Sequence, residues 1–220
     1  QSASTVDVVA TSGAITISGV SGASTVSGGA ATFAAGTHIG TSAAPLQTTV
    51  DRIVATADAG GIYIEELNSV RLIDISAAGT GSAAQILSRS GTITVKSVQA
   101  DRVVLRAPEG ALIDVQVGAA AVQATELALL AAQGIGADNT LKVAVGTIAA
   151  ANTRSGDVHI TSLSSAALSI DTVANIEGLS QLGGGDLTLV VPDDGDANDA
   201  LLVTAPIVLA GGAGTLSLEV

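Results

Sequence analysis

The densest set of metal-ligating side chains in this chain runs from Pro192 to Asp199, Pro-Asp-Asp-Gly-Asp-Ala-Asn-Asp. Asp194, Asp196, Asn198 and Asp199 offer hard oxygens at close spacing, the chemistry that Ca²⁺ selects. The alternate spacing of the first three resembles the start of a calcium loop. The sixth position, however, is Asp199 rather than glycine, and the twelfth is Ala205 rather than glutamate, so the helix-loop-helix calcium pattern fails. The same residues read equally as a solvated turn between two strands. Calcium is the one cofactor to which the residue types point.

Other chemistry is dispersed. His38 and His159 are the two histidines, and no Gly-x-Ser-x-Gly elbow accompanies the many serines. His159 falls between two aliphatics of a strand-like phrase and should point outward. Asp51-Arg52, Glu65-Glu66 and Asp101-Arg102 are charged pairs far apart in sequence, with Tyr63 the one sugar-stacking side chain near any of them. Glycoside cleavage needs two carboxylates about 5–10 Å apart, which spacing along the chain does not supply. The expectation is no enzyme.

Composition narrows the class further. Hydrophobic residues make up 47% and charged residues 13%, which excludes a disordered polyelectrolyte. The apolar content is aliphatic: Phe33 and Tyr63 are the sole aromatics, and Cys, Met and Trp are absent. A core of stacked aliphatic rungs fits this better than a compact core built on large rings. The net charge of −12 opposes binding to nucleic acid or to an anionic membrane surface. No uninterrupted apolar run is long enough for a membrane helix, and two aromatics cannot supply the interfacial girdles of a membrane barrel, so no membrane insertion is expected. The first residues lack the pattern of a signal peptide.

The elements that must position these residues follow from one recurring phrase, glycine, a spacer, then two aliphatics separated by one residue. It reads Gly13-Ala-Ile-Thr-Ile17, Gly60-Gly-Ile-Tyr-Ile64, Gly91-Thr-Ile-Thr-Val95, Gly156-Asp-Val-His-Ile160, Gly185-Asp-Leu-Thr-Leu189 and Gly214-Thr-Leu-Ser-Leu218. Period two places the aliphatics on one face of a strand, and Gly, Asp, Asn and Ser between phrases mark turns. Longer self-matches support a repeat. Segment 39–72 matches 135–168 at a shift of 96, Val98–Ala107 matches Val122–Ala131 at 24, and Gly185–Val191 matches Gly214–Val220 at 29. Residues 119–133, rich in Ala and Leu, would pass as a helix on propensity, yet the match to 98–107 predicts a strand.

Short strand-turn units cannot bury a face alone and must stack. The predicted fold is all-β, a parallel β-helix (β-solenoid) with an aliphatic core and few or no helices, running as one continuous unit over 1–220. Roughly 9–11 coils at about 4.8 Å would make a rod of about 45–55 Å. The outward residues of the phrases, Thr16, Tyr63, Thr94, His159, Thr188 and Ser217, form a mixed row rather than the regular threonine array of an ice-binding face.

The pattern Ala124-x-x-Leu-x-Leu-x-Ala131 followed by Gly134-Ile-Gly136, with Ile39-Gly-Thr-Ser-Ala-Ala-Pro-Leu46 and Gly60-Gly-Ile-Tyr-Ile64, resembles the β-strand-repeat regions of large bacterial exoproteins, the filamentous-haemagglutinin-like and autotransporter-like surface proteins. The resemblance covers most of residues 12–220. It implies export, an extracellular or cell-surface location, a right-handed β-helix and a role in adhesion or a surface layer. The terminal segments, Thr5–Val9 and Gly214–Val220, read as strand phrases rather than polar caps. The expected partners are therefore other copies of the chain or flanking repeats, end to end. A surface glycan is the further candidate, and a carbohydrate-binding or polysaccharide-cleaving β-helix is the contrasting function.

Overall fold

The computed structural model describes residues 4–17, 26–192 and 200–220. It contains no helix among these residues. One sheet of 19 strands runs through the molecule, every pairing in it parallel, and a separate two-stranded antiparallel hairpin pairs Thr172–Val173 with Ile176–Glu177. Parallel pairing throughout is the signature of a chain that coils and stacks each turn on the last. It also separates the fold from membrane barrels, whose strands are antiparallel.

The register makes the coil explicit. Leu46, Ile64, Ile86, Leu105, Leu129, Ala150, Leu179 and Ile207 pair in succession, one per coil. With the coil of Ile15 ahead of that of Ile39 and Leu46, the column holds nine rungs, within the 9–11 coils expected from the sequence, a stack of about 40 Å at ~4.8 Å per step. Excursions such as 40–45, 115–121 and the hairpin lengthen individual coils without adding rungs, so the sequence distance from rung to rung varies. Within each strand inward residues are buried and their neighbours are not, as in Ile62–Glu66 and Val158–Ser162. The shifts of 24 and 29 are single coil steps, since Val98 pairs with Val122, Leu105 with Leu129 and Leu187 with Leu216. The Ala- and Leu-rich segment is the strand Val122–Ala131, as its repeat match predicts. Its register neighbours supply the pairing that overrides its helical propensity.

The six phrases do not share a face. Ile15 and Ile62 belong to one column, joined through Ile39. Ile93, Val158, Leu187 and Leu216 belong to a second, joined through Leu112 and Ile135. Related segments 39–72 and 135–168 likewise fall on different faces, Ile39 in the first column and Ile135 in the second. The phrase therefore marks a corner followed by a strand, not a particular side of the coil.

A new corner develops along the stack. Ile53 and Ala55 are alternate residues of one strand, Leu46–Ala57. Their partners Leu72 and Ile75 are separated by an extra residue at a register shift. The next partners, Val95 and Val98, lie in separate strands, and the partners after those, Asp114 and Val122, are divided by a loop. One flat wall thus opens into two.

Glycine is required where the chain turns against the coil beneath. Space for a Cβ at Gly110 is occupied by the Gly91 carbonyl, at Gly185 by the Gly156 carbonyl at 2.6 Å, and at Gly214 by the Gly185 carbonyl. The residue after the corner glycine then caps the next coil. Thr92 Oγ1 accepts from Ala111 N–H at 3.3 Å, Asp157 Oδ1 from Asp186 N–H at 2.9 Å, and Asp186 Oδ1 from Thr215 N–H at 2.7 Å. Small polar residues recur after the glycine for this reason.

Candidate functional site

Among the described residues, the buried carboxylates and side-chain amides sit at the ends of strands, where they bind backbone. Glu66 is fully buried, stacked in register between Thr48 and Ser88. Its carboxylate accepts from Thr48 Oγ1 at 2.6 Å, Val50 N–H at 3.1 Å, Leu67 N–H at 3.0 Å and Asn68 N–H at 3.3 Å. Burial pushes the Glu66 carboxyl above the ordinary glutamate range, opposed by the Thr48 hydroxyl and these amides. Asp114, also buried, accepts from Gln116 N–H at 2.5 Å and Lys142 N–H at 3.1 Å and pairs with Lys142 Nζ at 2.8 Å.

A third corner holds two amides. Asn152 Oδ1 accepts from Gly134 N–H at 3.0 Å. Its Nδ2 donates to Ser155 O, Gly156 O and Gln181 Oε1, each at 2.9 Å. Gln181, one coil on, donates from Nε2 to Gly156 O at 2.6 Å and accepts from Gly183 N–H at 3.1 Å. Each group is satisfied by the fold, and none is left to act on a substrate.

The candidate chemistry named above is scattered by this architecture. Asp194, Asp196, Asn198 and Asp199 lie outside the described residues. Among the described residues, no group of three or more His, Cys, Asp or Glu side chains is placed to hold a metal ion. His38 sits beside Ile39 in the first column. His159 lies in the second, between buried Val158 and Ile160, with its outward position in register with Thr188. Glu65 and Glu66, adjacent in sequence, face opposite ways: Glu65 pairs outward with Arg89, whereas Glu66 is interior. Asp101 accepts from Gly81 N–H, and Arg102 pairs with Glu126 at 2.5 Å. Asp51 and Arg52 are exposed. Of the outward row, His159, Thr188 and Ser217 stand in direct register, Thr94 stands on the same column three coils earlier, and Tyr63 stands on the first column.

Two surface depressions were not anticipated. One, of about 690 Å³, is open and polar, with Ser76, Gln99 and Gln123 stacked in register along its floor and Asp101, Thr80 and Thr125 beside them. The match of Val98-Gln-Ala to Val122-Gln-Ala carried the signal for the glutamine pair. The other lies beside the Thr172–Glu177 hairpin, and nothing in the period-two pattern announced it. Neither gathers a nucleophile with a base. No family model, curated protein or solved structure matches this chain. Its fold is therefore established by its own geometry, and the function must be argued from the same source.

Proposed function

We propose that this chain is a structural β-solenoid segment of an extracellular bacterial filament, adhesin stalk or surface layer, whose work is to span distance and resist proteolysis. The observation that carries the reading is the uninterrupted parallel ladder from Leu46 to Ile207, one aliphatic residue per coil. Leu187 and Leu189 are fully buried between coils, yet their partners one coil on, Leu216 and Leu218, are 44% and 38% exposed. The strand Leu216–Glu219 is paired on one side, with Leu187–Val190. Each rung presents an aliphatic parallel edge in the same register, so a further coil of the same kind continues the ladder. Copies of this chain, or flanking repeats, joined end to end would continue the ladder. The continuous parallel pairing supports the resistance to proteolysis, since a protease needs an extended segment released from the sheet.

The open polar groove favours a second reading, a carbohydrate-binding or polysaccharide-cleaving β-helix. Its stacked serine and glutamine side chains present hydroxyl and amide groups at the coil spacing, about 4.8 Å, along a line that a chain of sugar hydroxyls could follow. A glycan array combined with a polysaccharide-degradation assay separates the two. The structural reading expects no consistent binding and no turnover, and reproducible binding or cleavage of one glycan sinks it in favour of the groove.

A further inference from the structure

The hairpin Thr172–Glu177 is an excursion inserted where other coils pass directly along the wall. Leu127 and Leu129 are two residues apart and Ile148 and Ala150 likewise, but their successors Ile170 and Leu179 are separated by the whole hairpin. It folds back over the outside of the wall. Val173 and Ile176 pack on the outward row Val104, Ala128 and Ala149, a second apolar cluster distinct from the core. The turn holds Ala174 and Asn175 at φ +49° and +63°. Asparagine tolerates the left-handed region, whereas alanine carries strain there.

Arg106 is tucked beneath this turn. Its Nη2 donates to the Ala174 carbonyl at 2.8 Å. Its Nε is buried and has no acceptor, alone in this among the side-chain nitrogens and oxygens of the described residues. Arg89, Arg102, Lys142 and Arg154 are each ion-paired with a carboxylate. Arg106 is not, in a chain with 20 acidic and 8 basic residues.

Beside Arg106 runs a groove of about 460 Å³, within the usual size range of small-molecule sites. Leu130, Ala151, Ser180 and Val208 follow Arg106 in register, one per coil, and form its floor. Leu182 and Pro206 flank it. The floor therefore runs along the rod axis for about 19 Å at the coil spacing, mostly apolar, with a cation at one end.

We propose that this groove binds an aliphatic monocarboxylate, its head on the Arg106 guanidinium and its chain along Leu130, Ala151 and Val208. A carboxylate matches the guanidinium fork, and outward movement of the strained turn gives it the Nε donor that the protein leaves unmatched. Glu177 at the rim opposes a second negative charge, which selects a monoanion over a dianion. The apolar floor selects a hydrocarbon chain over a sugar.

Decanoate titrated into the intact chain by calorimetry tests this, with amide hydrogen exchange read across residues 171–178. One saturable site is expected, with altered exchange in the hairpin. Decanamide, with the same chain and no charge, should bind at least about tenfold more weakly, as should Arg106→Gln. Arg106→Lys keeps the charge without the fork and should fall between. Arg71→Gln, remote from the groove, serves as the control and should bind as wild type. Absence of saturation at millimolar decanoate, equal binding of decanamide, or wild-type binding in a folded Arg106→Gln variant overturns the proposal.

Discussion

Removing the Asn152 side-chain amide should cost more than removing that of its partner Gln181, and the hydrogen bonds say by how much. Asn152→Leu puts an apolar side chain of similar volume in place of the amide within a fully buried site. Gly156 O keeps the Gln181 Nε2 donor, Gln181 Oε1 keeps Gly183 N–H, and Ser155 is exposed to water. Gly134 N–H is the group orphaned, because its acceptor is Asn152 Oδ1 and Gly134 is buried. An unsatisfied buried amide costs about 1–3 kcal/mol. For a chain of this length that is a fall in Tm of about 2–12 °C. In Gln181→Met no buried donor is orphaned: Asn152 Nδ2 retains Ser155 O and Gly156 O, and half-buried Gly183 N–H can turn to water. The loss should be about 1 kcal/mol or less. Urea denaturation of both variants, with amide exchange at Gly134, is the assay. Gly134 should lose protection in Asn152→Leu and keep most of it in Gln181→Met. Equal destabilisation, or unchanged protection of Gly134 in Asn152→Leu, would refute the reasoning.

Three further outcomes follow from the packing. Gly110→Ala drives a Cβ into the Gly91 carbonyl and should lower Tm clearly, whereas Gly13→Ala, with open space and no positive φ, should be neutral or raise stability by up to about 1 kcal/mol; parallel melting curves check the contrast. Leu105→Ala, in the column between Ile86 and Leu129, should cost about 2–5 kcal/mol in urea denaturation. Because burial raises the Glu66 carboxyl, its contribution is fully present below the ordinary glutamate range and is lost as pH rises through the raised value. The stability of wild type relative to Glu66→Gln should therefore decline from acid toward neutral pH, and a pH-independent difference would count against a raised carboxyl.

Much of the fold was legible in the sequence because period-two alternation and single-coil shifts are local signals. The pairing of Val98–Ala107 with Val122–Ala131 was readable as a shift, and it placed a strand where propensity favoured a helix. The shift of 96 was readable as a repeat but not as geometry, since it joins segments on different faces; the coils between them differ in length, so sequence distance does not convert to rotation about the axis. Excursions such as 115–121 and the hairpin were not readable as such, because they lengthen single coils without changing the period-two pattern. The candidate site was less accessible. Glu65 and Glu66 read as a pair, yet the pleat sends one outward to Arg89 and folds the other into a corner. Asp157 and Asp186 read as polar turn residues, and their role as caps for the following coil appears only when coils are stacked. Arg106 gave no signal, because its environment is made by a hairpin many residues downstream.

Electron microscopy of the purified chain over a range of concentrations tests the central claim most directly. The regular parallel ladder, continued through Leu187–Leu216 and Leu189–Leu218, predicts rods joined end to end, lengthening as concentration rises, with Leu218→Lys shortening them. Discrete rods of single-chain length at every concentration would contradict it.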